Sequence, residues 1–106
     1  MAGRASGEPV MREAPAAWTF LTNHAHVLLC IAADPEVLLR SIAEQVGITE
    51  RAVQRIISEL EAEHYLARER DGRRNRYTVR GDRPLRHPLE RHQRVSVLLG
   101  LARRRG

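Results

Sequence analysis

The sequence predicts a mainly α-helical fold that carries one small β-hairpin and ends in a further helix. Three observations carry this expectation. Apolar residues recur at helical spacing in three segments between residues 23 and 64, and a turn containing Gly47 separates the second segment from the third. The chain then changes to a strand, an Asp71-Gly72 turn and a second strand.

Residues 1–16 are rich in Gly, Ala, Pro and Glu without apolar periodicity, so they read as a flexible lead-in. Order is expected from Trp18, with Trp18 and Phe20 closing the core beside the first helix. In NHAHVLLCIAAD, residues Val27, Leu28, Ile31 and Ala32 share a helical face. Thr22 or Asn23 supplies the N-cap, and Asp34-Pro35 the stop. Residues 37–40 are apolar enough for one short strand. Ser41 followed by Glu44 has the spacing of a capping box, in which each side chain satisfies a backbone donor at a helix start, so the second helix is expected to begin there.

Gly47 sits where a helix end needs positive φ, and Thr49 is a fresh N-cap two residues later. The third helix is expected over about residues 50–64. Val53, Ile56, Ile57 and Leu60 fall at i, i+3, i+4 and i+7, and Arg51, Gln54, Arg55 and Ser58 lie opposite. Residues 66–70 and 76–79 pair as a hairpin with the tip DGRRN, placing Tyr77 and Val79 on one face. Gly81-Asp82-Arg83-Pro84 breaks the chain. Pro88 is then placed to open a last helix carrying Leu89, Val95, Leu98, Leu99 and Ala102. No internal repeat is visible.

Composition bounds what such a fold does. At 106 residues the chain is one domain's worth, and a domain of that size buries only about 60 to 65% of the surface its unfolded chain exposes, which disfavours a deep cofactor cleft. Aromatic residues are 4% and charged residues 29%, and all eighteen basic side chains are Arg. Arg suits planar, bidentate contact with phosphates and guanine edges, and a GC-rich genome produces the same bias. One Cys excludes an internal disulfide and fits a reducing cytoplasm. No apolar run approaches the roughly 20 residues that span a bilayer, and the first residues lack an apolar signal core, so a soluble intracellular protein is expected.

The net charge of +5 is unevenly distributed. Residues 1–65 carry five Arg and nine acids, whereas residues 66–106 carry thirteen Arg against Glu69, Asp71, Asp82 and Glu90. The first part is therefore −4 and the second +9. A solvated surface accounts for any charge run, but an imbalance this large points toward a polyanion, either nucleic acid or an acidic membrane.

Ala43, Gly47 and Val53, with Ile42, Val46, Ile48 and Ile56 around them, resemble the helix-turn-helix pattern of bacterial transcription regulators. With the hairpin, residues 18–80 resemble a winged helix-turn-helix of the MarR and ArsR kind. The resemblance implies a three-helix core plus wing over residues 17–81, followed by a linker and dimerisation helix over 82–106. It implies that residues 49–64 form a recognition helix that enters the DNA major groove, and that residues 66–80 form a wing over backbone or minor groove.

The residues fit that geometry on their own terms. Arg51, Gln54 and Arg55 lie in the first two turns, whereas Glu59, Glu61 and Glu63 lie at the far end. Thr49, Arg51, Gln54 and Arg55 are the base-reading candidates, since Arg pairs with guanine and Gln with adenine. Glu50 either accepts from cytosine or stabilises the helix dipole. Arg73, Arg74, Asn75 and Arg76 are assigned to phosphates and the minor groove, against the alternative of a solvated turn.

The last helix carries a second apolar stripe, Val97 and Leu101, which one small domain does not cover. A homodimer through this helix, with helix one a possible contributor, is therefore expected, and a monomer whose last helix wraps its own core is the alternative. Arg103-Arg104-Arg105 stabilise that helix's end or touch DNA. His26 and Cys30 stand at i and i+4, the spacing of shared metal ligands, but a Cys in an apolar helix is more simply a small hydrophobe. The other His residues show no ligand pattern. Trp18 and Phe20 line an effector pocket if the protein is a ligand-responsive dimer. No nucleophile elbow, phosphate loop or paired-carboxylate site is present, so neither catalysis nor a cofactor is expected. The expected partner is double-stranded DNA. The alternatives are a winged-helix module that docks on an acidic protein surface and a regulator with a metal or thiol sensing site.

Overall fold

The computed structural model describes residues 17–102, so the expectations for residues 1–16 and for Arg103–Arg105 lie outside the described residues. Helix α1 (Asn23–Ala33) is capped by Thr22, whose hydroxyl oxygen accepts from the Ala25 N–H at 3.3 Å. It ends at Asp34, which turns the chain sharply. The Asp34 carboxylate accepts from the Glu36 N–H at 3.1 Å, and the Asp34 carbonyl from the Val37 N–H at 2.9 Å.

That turn leads straight into helix α2 (Leu39–Val46), whose N-cap lies three residues before Ser41, with no intervening strand at residues 37–40. The N-cap is Leu38, which makes no side-chain cap bond, and Ser41 is already helical, so the Ser41–Glu44 capping box does not form. Burial decides the helix start. Ile42 is fully buried, Ala43 nearly so, and Val37 and Leu39 pack against the same core. Together these outweigh the roughly 1 kcal/mol that a side-chain cap contributes.

Gly47 ends α2 at φ 87°, and the Ile48 N–H reaches back to the Ala43 carbonyl at 3.1 Å, the six-to-one bond of a Schellman ending. Three residues later helix α3 (Glu50–Ala62) begins. The Thr49 hydroxyl oxygen caps it by accepting from the Ala52 N–H at 3.0 Å, as the sequence suggests. Val53, Ile56, Ile57 and Leu60 are buried along one stripe, where they meet Val27, Leu28 and Ile31 of α1 and Ile42 and Ala43 of α2.

Helix α3 stops before His64. His64 adopts φ 67° and donates to the Glu61 carbonyl at 3.0 Å, while the Tyr65 N–H donates to the Leu60 carbonyl at 2.8 Å. This is a second Schellman ending, with His in the place glycine usually takes. Strands β1 (Leu66–Asp71) and β2 (Arg74–Val79) follow as an antiparallel hairpin with Asp71 opposite Arg74. The tip is thus the two-residue turn Gly72-Arg73, tighter than DGRRN. The positive φ falls on Gly72, the first central residue, as a type II′ turn requires. Tyr77 is buried and Val79 half-buried on the inner face, and the Tyr77 N–H donates to the Pro35 carbonyl at 3.0 Å.

Beyond β2 the sequence expectation fails in one respect. Pro88 does not open a helix, and residues 80–95 form a series of turns with one isolated bridge between Pro84 and Arg94. Helix α4 is only Ser96–Leu99, continued by a 3-10 turn, Gly100–Ala102. Leu89 is the one large apolar side chain in residues 88–94 and is 79% exposed, so a helix there has no apolar face to bury. The segment is held instead by Val95, which enters the core, and by the bond from the Tyr65 hydroxyl to the Pro84 carbonyl at 2.7 Å.

Trp18 and Phe20 do not close the core. They are 68% and 91% exposed and stack on one another edge to face with centroids 5.0 Å apart. Helix α1 already packs against α2, α3, β2 and α4, which leaves no enclosed slot for the rings. Phe20 instead walls an open apolar groove of about 730 Å³, whose floor includes Leu28, Leu60, Tyr65 and Val95.

Candidate nucleic-acid interface

The exposed face of α3 carries Arg51, Gln54, Arg55 and Ser58, all turned away from the core. Thr49 stands at its start with its oxygen committed to the cap, which leaves the hydroxyl proton available to a partner. Glu50 lies in the first turn, where a carboxylate favours the positive end of the helix dipole. Arg55 is engaged only loosely, with Nε 3.9 Å from Glu59 and both side chains mostly exposed, a contact of little energetic weight.

The acids at the far end of α3 each face a nitrogen-bearing side chain. Glu59 is 2.7 Å from His24 Nε2, Glu61 is 2.9 Å from Arg68, and Glu63 is 3.8 Å from Arg86. The carboxylates therefore face α1, β1 and the loop after β2, and the N-terminal half of α3 keeps its cationic and amide groups. This is the polarity suggested by the sequence.

The hairpin brings its arginines to the other side of a shared cleft. Arg73, Arg74 and Asn75 line a cleft of about 480 Å³ together with Glu36, Leu38, Arg40 and Glu50, so the wing tip faces the starts of both α2 and α3. Strand alternation divides the wing residues. Arg74 and Arg76 are exposed on the outer face, whereas Asn75 is half-buried on the inner face with Tyr77. Arg73 projects from the turn itself.

Two features of the cleft were not legible in the sequence. Glu36, at the turn after α1, contacts both outer-face arginines: one carboxylate oxygen lies 2.6 Å from Arg76 Nη1 and the other 3.7 Å from Arg74 Nη1. Arg40 is exposed at the start of α2 and joins the same wall. Glu36 and Arg76 are forty residues apart, and no local pattern reports such a pairing. Among the described residues, the ion pairs involve neither Arg40, Arg51 nor Arg73.

His26 and Cys30 use their polar atoms separately. His26 Nδ1 meets Asn23 Oδ1 at 3.2 Å, and Cys30 Sγ meets Gln45 Oε1 at 3.5 Å. Cys30 packs partly against the core, and this burial pushes its thiol pKa up. Among the described residues no three His, Cys, Asp or Glu side chains converge as a metal site requires, and no helix is long and apolar enough to cross a membrane.

Residues 22–67 match the family model described as winged helix-turn-helix DNA-binding. No characterised protein and no solved structure shows a significant match to the chain. The matched span runs from the cap of α1 through the helix-turn-helix into β1, and with β2 it makes three helices and a two-stranded wing, a winged helix-turn-helix fold.

Proposed function

We propose that this winged helix-turn-helix chain is a sequence-specific double-stranded DNA-binding regulator of the MarR or ArsR kind, acting as a homodimer in the cytoplasm of a bacterium. The observation that carries the reading is the shared cationic surface. Arg51, Gln54 and Arg55 occupy the exposed N-terminal half of α3, and Arg73 and Arg74 of the wing stand across one cleft from its first residue. In this reading α3 lies in the major groove with Arg and Gln reading base edges, while the wing arginines hold phosphates or the minor groove. Binding and release of DNA is the whole activity; neither catalysis nor a cofactor is part of it.

The dimer is proposed on the apolar surface left uncovered. Val97 and Leu101 are 56% and 65% exposed on the last turn, and Trp18 and Phe20 lie exposed just before α1. A two-fold pairing of these surfaces presents two recognition helices to half-sites about one helical turn apart.

A mobility shift with random genomic DNA at two salt concentrations tests the DNA reading. Binding that weakens steeply with salt supports it. Negligible binding at low salt overturns it in favour of a winged-helix module that docks on an acidic protein surface. Light scattering tests the dimer, which a 12.1 kDa species overturns. Any controlling effector is a separate question, for which the groove beside Phe20 is the place to look.

A further inference from the structure

Glu36 stands out because it places a carboxylate on the surface that the proposed function needs to be positive. Its oxygens contact Arg76 Nη1 at 2.6 Å and Arg74 Nη1 at 3.7 Å, so the trio presents one net positive charge where the two arginines alone would present two. One purpose for such a contact is to prop the wing in place. The other is to occupy arginines that DNA would otherwise meet.

The surroundings decide between these purposes. The wing root is already fixed by its backbone, since the Tyr77 N–H donates to the Pro35 carbonyl at 3.0 Å and the Tyr77 side chain is 4% exposed in the core. Glu36 itself sits on a turn closed by Asp34, whose carboxylate accepts the Glu36 N–H at 3.1 Å and whose carbonyl accepts the Val37 N–H at 2.9 Å. Both partners are thus positioned without the ion pair. The three side chains remain 39 to 52% exposed, which leaves the contact open to competition by a phosphate.

We propose that Glu36 is an internal counterion for the wing, a carboxylate that a DNA phosphate displaces when Arg74 and Arg76 engage the backbone. The inference rests on the DNA-binding reading and adds a restraint to it. Contact with DNA then has two stages. Arg73 and Arg51, outside the ion pairs, meet the polyanion first, and Arg74 and Arg76 follow once phosphates replace Glu36. The restraint lowers sequence-independent affinity, which comes from charge neutralisation.

The test compares the full chain with Glu36→Gln, with Arg74→Ala/Arg76→Ala, and with the triple variant, titrating each against a random-sequence duplex between about 50 and 200 mM salt. Glutamine keeps the size of the side chain and removes its charge. Expected is a rise in low-salt affinity of about 3- to 10-fold for Glu36→Gln, with the salt slope steeper by up to about 1. The triple variant should lose that gain and match Arg74→Ala/Arg76→Ala. Unchanged or weaker binding by Glu36→Gln, with its thermal unfolding unchanged, overturns the counterion role. A gain that persists in the triple variant also overturns it, because the carboxylate would then act by general repulsion. A wild-type chain that binds no duplex at low salt overturns the DNA reading itself, and this inference with it.

Discussion

Tyr65, at the joint between α3 and β1, ties the three-helix core to the segment that follows β2. Its hydroxyl donates to the Pro84 carbonyl at 2.7 Å, its ring is buried, and the Arg83 guanidinium lies 5.3 Å from the ring centroid. Tyr65→Phe removes the donor and keeps the packing. It should lower stability by about 0.5 to 1.5 kcal/mol, the net worth of one such bond. Urea unfolding checks this, and a midpoint equal to wild type would show that the bond is replaced by water without loss.

The wing arginines should not be equivalent. Arg73 is outside the ion pairs among the described residues, whereas Arg74 shares Glu36 with Arg76. Arg73→Ala should weaken binding to all duplexes and make the salt slope shallower by about 0.9, the value of one phosphate contact. Arg74→Ala should do less, because its removal also frees Glu36 for Arg76 alone. A salt slope untouched by Arg73→Ala would remove the wing tip from the interface.

Gln54 should act on sequence preference more than on salt dependence. Its amide is exposed on the N-terminal half of α3, and a bidentate pair with adenine discriminates by about 1 to 3 kcal/mol. Selection from a randomised duplex pool, run with wild type and Gln54→Ala, should give preferences that differ at one position per half-site. Identical preferences would mean that the base contacts come from Arg51 and Arg55 without Gln54.

The two left-handed helix endings should respond oppositely to substitution. Gly47 has φ 87°, so Gly47→Ala should cost about 1 to 2 kcal/mol. His64 has φ 67° and pays a similar strain already, so His64→Gly should gain up to about 1 kcal/mol. Thermal unfolding of the two variants reads both signs.

Cys30 should be a slow nucleophile at neutral pH. Burial raises its pKa, so the fraction present as thiolate falls below that of a free cysteine, whose pKa is about 8.5. Alkylation by iodoacetamide should therefore lag behind free cysteine at pH 7 and accelerate as the pH rises. Reaction faster than free cysteine would favour the thiol-sensing alternative.

Legibility of the fold followed the range of the forces involved. The caps of α1 at Thr22 and of α3 at Thr49 are set by hydroxyls three residues from the N–H they satisfy, and the ending of α2 by the positive φ that Gly47 permits; these are local, and the sequence displays them, with Asn23 as the other candidate for the first cap. The start of α2 is set by Ile42 and Ala43 meeting α1 and α3, so the local Ser41–Glu44 pattern misled. The ending at His64 shares the six-to-one bond of that at Gly47 but has a residue that no turn rule singles out. After β2, Pro88 offers a helix start, but the residues that follow it offer no face to bury. At the candidate interface, the exposed arginine and glutamine positions of α3 follow from helical periodicity. Glu36 comes from a turn forty residues before Arg76, and only the tertiary fold brings the two together.

The joint at His64 has one further consequence. With the Tyr65 N–H bonded to Leu60 and the His64 N–H to Glu61, α3 passes into β1 without a slack residue between them. The span from the exposed residues of α3 to Arg73 is thus set when the chain folds, like the opening of a locked caliper. On the DNA-binding reading, ordering entropy lost there on folding is not lost again on binding, so a duplex whose groove width departs from that span is disfavoured.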